Sequence, residues 1–573
     1  MKEEIIQKII EILKESGVKD PKVVLDYPTH IEMGDYSTNV AMVYAKELGK
    51  KPLDLAENIK SQFVEDRLPQ TAINIARPGF LNFFFDANYF KDEIGKKFEG
   101  KIFKGQKIFF EHSQPNPFKE FHIGHLMGNC IGESVSRILK ANGAEIQVAS
   151  YHGDVGLHIA MAVWAIKAGK NLEVAYAFGY KEFEENEKAK VEILEINKKI
   201  YEESDPEISE IYEDGRQKSL EGFEALYKRL DSHFDFHFFE SESGEIGQEL
   251  VRENIGRIFE KGDPVRNGDS KEESVSNGIK RVPIIFKGEN FEPKTHTRVF
   301  LNSEGLPTYE AKELGLAQIK KDWFDYDKSI TVTANEQDSF FKVVEVAIGE
   351  VFPELKRKLH HLSHGILKLP SGKMSSRTGT IISAEDLIDQ VKTKVLDKMK
   401  NRDEMPRGTL DIEELAEIVA IGAIKYSILR QAIGGDIVFD FEKSISFEGD
   451  SGPYLQYSAV RANSILKKVE STNGAGDTEA VAEVPENWKT TNLERYLERF
   501  FSVVEKAGRE YAPHYLVTYL TELAGEFNSF YASGKIIDEN DPVSSYKLYI
   551  TKAFAQVMTD GLSLLAIKVP EKM

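Results

Sequence analysis

The sequence contains a single cysteine, Cys130, in 573 residues. One thiol can neither form a disulfide within the chain nor build a zinc site from several thiolates. No stretch approaches about eighteen consecutive apolar residues, so we expect no transmembrane helix. The N-terminal residues carry apolar side chains at helical spacing with charges between them, a pattern typical of an amphipathic helix and not of a signal peptide. We therefore expect a cytoplasmic protein with no membrane partner.

Positive charge is also in short supply. The chain has 74 lysines and arginines against 94 acidic residues, a net charge of −20. This balance argues weakly against a nucleic-acid partner, although composition cannot show whether basic residues gather on one face. Apolar residues make up 41% and charged residues 29%, which is typical of a folded protein. A chain of this length exceeds one core, so we expect two to four domains.

Three regions differ in pattern and predict a multidomain α/β protein. Residues 1–98 mix amphipathic helices with short strands and indicate a small α+β domain. Apolar strand-like runs alternate with helical ones over residues 104–445, which predicts a Rossmann-like parallel sheet. Within this region, residues 174–232 are strongly charged and helical, as expected of an insertion, and residues 281–286 are among the predicted strands. From residue 446 to 573 the pattern predicts an all-α domain.

One turn carries a candidate chemistry. Residues 116–129 read NPFKEFHIGHLMGN, between a predicted strand at 107–111 and a predicted helix at 126–142. The two histidines could serve as metal ligands, as an acid–base pair, as helix caps or as part of a phosphate site. A metal site needs further ligands, and the candidates lack metal-site spacing, so we expect none; these candidates are His112, His152 and His158.

The phosphate interpretation accounts for more residues together. The turn follows the first strong strand of an α/β domain, where strand ends and a helix N-terminus form a ligand crevice. Gly124 would allow an adenine or ribose to approach the backbone closely. Lys119 adds a positive charge beside the imidazoles His122 and His125, which can donate hydrogen bonds to phosphate oxygens.

A second segment, SGKMSSRTGT at 371–380, is rich in glycine and serine and carries one lysine near its start. The pair HIGH and KMSS, about 250 residues apart, resembles the two signatures of class I aminoacyl-tRNA synthetases. The resemblance implies that ATP is held by His122, Gly124, His125, Met374 and Ser375, and that catalysis depends on Lys119, His122, His125 and Lys373. The sequence departs from the usual second signature, because Ser376 stands where a second lysine is common. Lys119, Lys373 or Arg377 would then supply the charge.

The wider pattern resembles the arginyl-tRNA synthetase family along nearly the whole chain. The matching segments are residues 32–42, 76–82, 111–125, 151–156, 305–315, 334–341 and 448–466. The resemblance implies ligation of L-arginine to tRNA(Arg) with ATP and Mg²⁺, by a monomer without structural zinc. A class I synthetase for another basic amino acid and a non-catalytic tRNA-binding paralogue remain as alternatives.

A guanidinium has five donors and a permanent charge, so a selective pocket needs carboxylates and neutral acceptors. The resemblance places five residues around the arginine: Glu111, Asn116, Tyr309, Glu313 and Gln337. Glu313 is a departure, since aspartate is commoner there in the family. Tyr309 and Glu313 are four residues apart and would share one side of a helix.

The resemblance also implies RNA contacts in both terminal domains. Tyr454, Tyr457 and Arg461 share a helical face that suits unpaired anticodon bases, although core packing would explain the same spacing. Asn82 and Phe85 correspond to the region that contacts the tRNA elbow, and residues 386–445 to the region that contacts its stem. Residues 190–201, 227–229 and 358–368 are candidates for a basic face.

Overall fold

The computed structural model describes residues 1–66, 71–262, 275–276, 279–280, 282–368, 382–400, 412–473, 483–538 and 540–573. They form two compact units. One comprises Met1–Phe98, Arg461–Ser502 and Glu522–Met558, and the other comprises Glu99–Val460, Val503–Thr521 and Thr559–Met573. The candidate site lies in the second unit.

The N-terminal segment packs helices against a three-stranded antiparallel sheet of order β1-β3-β2. Its elements are α1 (Lys2–Glu15), β1 (Tyr36–Thr38), α2 (Val40–Tyr44), α3 (Pro52–Asp66), β2 (Thr71–Ala76), β3 (Phe80–Phe85) and α4 (Ala87–Ile94). Alternate residues of β3 (Leu81, Phe83 and Phe85) enter the core, as the period of two of a strand requires. The prediction of a small α+β fold is confirmed.

The middle of the chain alternates strands and helices. Its elements are β4 (Lys107–Glu111), α5 (Ile123–Ala141), β5 (Glu145–His152), α6 (Leu157–Lys167), α7 (Leu172–Glu185), α8 (Glu187–Glu202), α9 (Pro206–Arg229), β6 (Phe236–Phe239), α10 (Glu240–Glu253), β7 (Glu260–Lys261), β8 (Val275–Ser276), β9 (Ile279–Lys280), β10 (Ile284–Phe286), β11 (Arg298–Leu301), α11 (Tyr309–Trp323), β12 (Lys328–Ala334), α12 (Asp338–Val351), β13 (Leu359–His364) and β14 (Leu367–Lys368).

A five-stranded parallel sheet of order β13-β12-β4-β5-β6 organises this region and confirms the predicted Rossmann-like class. Glu111 at the end of β4 pairs in register with Ala149 of β5 and Thr331 of β12. The carboxyl ends of neighbouring strands therefore meet at one edge. The chain order reverses at β4, where ligands bind in open parallel sheets.

Two parts of this region have their own architecture. The predicted insertion is helical, as expected, and consists of α7, α8 and α9 packed on α6. The prediction that residues 281–286 join the parallel sheet is wrong: β10 pairs antiparallel with β11 and β7 in a separate small sheet. All three residues of β10, Ile-Ile-Phe, are buried. A short apolar run of this kind is expected in a buried strand of a parallel or of an antiparallel sheet, so the sequence alone could not distinguish the two.

Among the described residues from 382 to 573, the elements are helices apart from a short strand. They are α13 (Ala384–Lys400), α14 (Ile412–Leu429), β15 (Ile437–Val438), α15 (Phe441–Ser444), α16 (Gly452–Asn473), α17 (Asn492–Glu498), α18 (Phe500–Arg509), α19 (His514–Ala532) and α20 (Ser544–Leu564). Strand β15 pairs with β14. Within the described residues, no helix is long and apolar enough to cross a membrane.

A buried carboxylate joins α17 to the N-terminal segment within the first unit. Glu498 accepts hydrogen bonds from the hydroxyls of Tyr36 (2.6 Å), Tyr27 (3.2 Å) and Tyr89 (3.2 Å). Burial raises the pKa of Glu498, and the three hydroxyl donors oppose that rise. Removal of a carboxylate from water is costly unless donors replace the water, so these bonds fix α17 on the N-terminal fold.

Candidate active site

The two histidines of the turn cap helix α5. His122 is the N-cap residue, and its Nδ1 accepts hydrogen bonds from the backbone N–H groups of Gly124 (3.1 Å) and His125 (3.4 Å). His125 returns the bond, its Nδ1 accepting from the His122 N–H at 3.3 Å. The rings stack with centroids 3.7 Å apart. Capping satisfies N–H groups that would otherwise lack partners at a helix start.

This arrangement fixes the protonation state of both rings. Burial lowers the pKa of His122 to about 4, with a further contribution from Lys119. Burial lowers the pKa of His125 well below its usual value, and Lys119 contributes to this shift as well. Both rings are therefore neutral at pH 7, and because each Nδ1 accepts, each proton resides on Nε2. The capping role and a phosphate-binding role are compatible, since Nδ1 serves the helix and Nε2–H is left for a ligand.

Gly124 is required by the turn itself. A Cβ atom at this position would lie 2.8 Å from Cε1 and 2.9 Å from Nδ1 of His122. The sequence analysis assigned the missing side chain to close approach of a nucleotide. In the structure, a side chain at this position is excluded by the His122 ring itself, which folds back over the start of the helix.

The loop before the turn is held in an uncommon conformation. Ser113, Gln114 and Phe118 have positive φ values of 75°, 52° and 62°. Such residues cluster at functional sites, because the surrounding structure must hold them there. His152 helps to do so: its Nδ1 donates to the Pro115 carbonyl at 2.7 Å.

The histidines considered as further metal ligands have other roles. His112 is bonded to the Ser113 hydroxyl at 3.0 Å, and Nε2 of His158 is 3.1 Å from the Gly153 carbonyl. The described residues contain no cluster of three or more side chains suited to hold a metal ion. His112 thus contacts the loop before the turn, and His158 contacts the residue that follows His152 at the end of β5.

The turn opens into a cleft of about 510 Å³ at the carboxyl edge of the parallel sheet. Polar side chains line much of it, and most of them are acidic, neutral or aromatic. They include Gln114, Asn116, His122, His125, Tyr151, Glu240, Tyr309, Glu310, Glu313, Glu336, Gln337 and His364, together with the cation Arg298. Four of the predicted arginine-binding residues (Asn116, Tyr309, Glu313 and Gln337) are therefore brought together. Asn116 also accepts from the Gly153 N–H at 3.1 Å, which fixes its amide.

The fifth predicted residue, Glu111, does not line the cleft. It is fully buried at the end of β4, where its Oε2 lies 2.5 Å from Nζ of Lys320. Its charge is therefore balanced within the protein. The predicted contact with substrate stays a prediction, but in this structure Glu111 acts on its neighbour Glu313 through its charge.

Each of the other buried carboxylates at the cleft has a cationic partner. Glu240 pairs with Lys312 at 2.6 Å, and Glu310 pairs with Arg298 at 3.1 Å. The half-buried side chain of Glu313 has no ion pair or hydrogen bond with any described residue. Burial, together with the charge of Glu111, raises the pKa of Glu313 to about 8, and the charge of Lys320 opposes that rise. An unpaired carboxylate of this kind becomes favourable when a cationic ligand enters.

Of the lysines that the resemblance assigns to catalysis, the structure describes Lys119 but not Lys373. Lys119 places Nζ 4.6 Å from the Tyr176 ring centre, and burial lowers its pKa to about 8, opposed by the charge of Glu240. Lys373, Met374, Ser375, Ser376 and Arg377 lie outside the described residues. The residues that follow that segment pair with the turn: Ile123 N–H donates to the Ile382 carbonyl at 3.3 Å, and Ala384 N–H to the Phe121 carbonyl at 2.8 Å.

Sequence reasoning missed several cleft residues. Glu310 lies in the segment GLPTYEAKELG, between Tyr309 and Glu313, which were predicted to bind arginine. Its negative charge was the feature that could have identified it. Arg298 and Glu240 lie in none of the segments identified from the sequence, and His364 lies in residues 358–368, which were considered only as part of a basic face; the fold brings all three to the cleft.

The predicted RNA-binding residues of the helical region lie on α16. Tyr454 and Tyr457 are half-buried. Nη1 of Arg461 donates to Asn528 at 2.5 Å, and the guanidinium lies 5.1 Å from the ring centre of Tyr531, an exposed side chain. Arg461 and Tyr531 thus form a stacked, partly open surface, which suits unpaired bases.

In the N-terminal segment, burial separates the two predicted residues from the surface. Asn82 is buried and accepts from the Ser37 hydroxyl at 2.7 Å, and Phe85 is only 4% exposed within the core. Phe80, at the start of the same strand, is 37% exposed and was not singled out. It offers the ring surface that Phe85 lacks.

The proposed basic stretches are largely occupied by internal ion pairs. Lys199 pairs with Asp205 at 3.0 Å, Arg229 with Glu417 at 2.8 Å and Lys368 with Asp436 at 2.5 Å. Their charges are therefore partly neutralised, which weakens the prediction that these stretches form a basic face.

The parallel sheet, the histidine-capped helix and the cleft at the point where strand order reverses define a class I aminoacyl-tRNA synthetase. Three family models agree. Residues 93–441 match the catalytic domain of class I (R) tRNA synthetases, residues 1–85 the arginyl-tRNA synthetase N-terminal domain, and residues 455–573 the DALR anticodon-binding domain. The chain belongs to the arginyl-tRNA synthetase family.

Individual relatives cover the whole chain. The arginine–tRNA ligase of Borrelia hermsii is 31% identical over 100% of this chain and 98% of its own length, and that of Fusobacterium nucleatum is 28% identical over the same shares. Among solved structures, the arginyl-tRNA synthetase of Thermus thermophilus matches with a TM-score of 0.73 at 23% identity, with all of both chains covered. This last likeness supports the fold.

The substitution Gly124→Ala tests the histidine turn. The new Cβ would displace the His122 ring and its cap, so we expect the rate of amino-acid activation to fall by at least about tenfold, the equivalent of about 1.4 kcal/mol, the size of one lost cap. Pyrophosphate exchange measures this rate. Gly222→Ala is the control, because nothing lies within 4 Å of that Cβ position. An unchanged rate in Gly124→Ala would contradict the assigned role of the turn.

Proposed function

We propose that the protein is an arginine–tRNA ligase. A carboxylate oxygen of L-arginine attacks the α-phosphorus of ATP, the bond to the β-phosphate breaks, and arginyl-adenylate and pyrophosphate form. A ribose hydroxyl of the terminal adenosine of tRNA(Arg) then attacks the arginyl carbonyl, and AMP leaves. The observation that carries this proposal is the unpaired carboxylate of Glu313 in a cleft that adjoins a helix capped by two neutral histidines.

Recognition of arginine rests on charge and donor count. The side chain of arginine has a permanent positive charge and several donors. Glu313 supplies the unbalanced negative charge, while Asn116, Tyr309 and Gln337 supply neutral groups in the same cleft. Glu310 and Glu240 are already paired with cations of the chain, so their charges are largely balanced before a substrate binds.

Recognition of ATP rests on the start of helix α5. The Nε2–H groups of His122 and His125 donate to phosphate oxygens as negative charge shifts during displacement. Lys119, with Lys373 of the second signature, supplies positive charge. Mg²⁺ would arrive with ATP, since it is usually held by phosphate oxygens and water with few protein ligands. The described residues offer no ready-made metal cluster that would replace those ligands.

The tRNA would contact several regions. We propose an N-terminal domain at 1–98 that contacts tRNA, with Phe80 beside the predicted Asn82 and Phe85. A catalytic domain follows at 104–445, with its insertion at 174–232 and its stem-contacting region at 386–445, and an anticodon-binding domain at 446–573 carries Tyr454, Tyr457 and Arg461. We propose that the protein acts as a monomer in the cytoplasm.

Arginine-dependent exchange of pyrophosphate into ATP tests the proposed activity. We expect exchange with arginine and none with lysine, because the ammonium of lysine is a compact charge that lacks the fork of five donors of a guanidinium. Runs with and without tRNA show whether activation requires the RNA, as the family resemblance implies. Exchange with lysine but not arginine would indicate a synthetase for another basic amino acid. Folded protein that binds tRNA without any exchange would indicate a non-catalytic paralogue.

The substitution Glu313→Gln tests the assignment of arginine. It removes the charge and keeps the shape, so the KM for arginine should rise about ten- to hundredfold, the range for loss of a charge-assisted hydrogen bond. The KM for ATP should change little. Glu313→Asp restores the charge and should recover much of the loss. Glu304→Gln, an exposed position outside the cleft, is the matched control. Equal effects on arginine and ATP would count against a specific role.

A further inference from the structure

His364 is a cleft residue to which the proposed reaction assigns no role. It is the last residue of β13, its side chain is only 4% exposed, and it lines the same cleft as the histidine turn. Strand β13 lies two strands from β4, roughly 10 Å across the sheet. His364 therefore lies on the side of the cleft that β13 forms, two strands from the strand that leads into the histidine turn.

The hydrogen bonding of His364 determines what it can recognise. Its Nδ1 lies 2.7 Å from the carbonyl oxygen of Gly365. A carbonyl can only accept, so Nδ1 carries the proton and donates. Burial lowers the pKa of the ring, which is therefore neutral at pH 7. The remaining nitrogen, Nε2, is then a pure acceptor, and no described residue donates to it.

The surroundings leave Nε2 open to a ligand. A Cβ atom at Gly128 of helix α5 would lie 3.4 Å from Nε2. Gly128 also lines the cleft and lies about one helical turn beyond Gly124. The absence of a side chain there leaves Nε2 open to the cleft beside this second turn of α5, one turn beyond the proposed phosphate position.

We propose that His364 is a base-selecting residue, whose Nε2 accepts a hydrogen bond from the 6-amino group of adenine. This inference rests on the proposed use of ATP. With the phosphates at the start of α5, the base is the part of the nucleotide farthest from them, and we place it along the cleft beside Gly128, where Nε2 of His364 lies. Guanine and hypoxanthine present an oxygen acceptor at the 6-position, which would face the lone pair of Nε2 without a proton between them. A site built around an acceptor rejects such ligands because a buried polar group is left unpaired.

Equilibrium binding of two nucleotides tests this inference without any need for catalysis. ATP is compared with purine riboside 5′-triphosphate, which lacks only the 6-amino group, by titration calorimetry of the full-length protein. The unmodified protein should bind ATP about three- to tenfold more tightly, the worth of one neutral hydrogen bond. In His364→Phe, which keeps a ring and removes the nitrogen acceptor, the ratio of the two dissociation constants should approach one. His364→Gln, which retains an acceptor, should keep part of the preference.

His360→Phe is the matched control, since it lies on the same strand and lines no part of the cleft. A ratio that stays the same in His364→Phe overturns the inference. The inference is also overturned if His364→Phe loses its selectivity for ATP over 3′-deoxy-ATP but keeps its preference for the 6-amino group. That result would assign Nε2 to the sugar. The binding ratio is independent of the ligase reaction. An unmodified protein that binds ATP selectively but exchanges no pyrophosphate contradicts the proposed function and leaves the role of His364 supported.

Discussion

Charge balance among the buried carboxylates at the carboxyl edge of the parallel sheet constrains this site more than any other interaction. A carboxylate removed from water must gain a cation or donors, or take up a proton. Glu111, Glu240 and Glu310 each have a cation from the chain. Glu313 forms no ion pair with the described residues, and burial and the neighbouring Glu111 raise its pKa while Lys320 opposes that rise. Glu313 is therefore mostly protonated at pH 7 in the free protein, and a guanidinium is a ligand that can favour its ionised form.

The start of helix α5 supplies the complementary half of the site. His122 and His125 use their Nδ1 atoms to cap the helix and are held neutral by burial, so that their Nε2–H groups remain available to an anion. A helix N-terminus adds its own partial positive charge. A cation-binding half and an anion-binding half therefore meet in one cleft. This is the requirement for joining a basic amino acid to a nucleotide, and the register of β4, β5 and β12 brings the two halves together.

The sequence predicted the histidine turn and the strand and helix on either side of it, because local patterns encode both. The presence of Tyr309 and Glu313 in the same cleft was also predictable, since i, i+4 residues share a helix side. Arg298, Glu240 and His364 could not be found this way, because they reach the cleft only through the topology of the sheet. The burial of Phe85 and the pairing of Glu111 with Lys320 were likewise beyond reach, since each depends on which side of an element meets the core. Residues 281–286 show the same limit: an apolar run predicts a strand but not its partner.

The central claim is that Glu313 is protonated in the free protein and releases its proton to the solvent when arginine binds. Calorimetry of arginine binding at pH 7, in two buffers of different ionisation enthalpy, counts the protons exchanged. Because the pKa of Glu313 is raised to about 8 and a guanidinium favours the ionised form, about one proton should be released per arginine bound. Release should diminish as the pH rises above about 8, where the carboxylate is already ionised and binding is tightest, and it should vanish in Glu313→Gln. Binding without proton release at pH 7, or the same release in Glu313→Gln, would contradict the account.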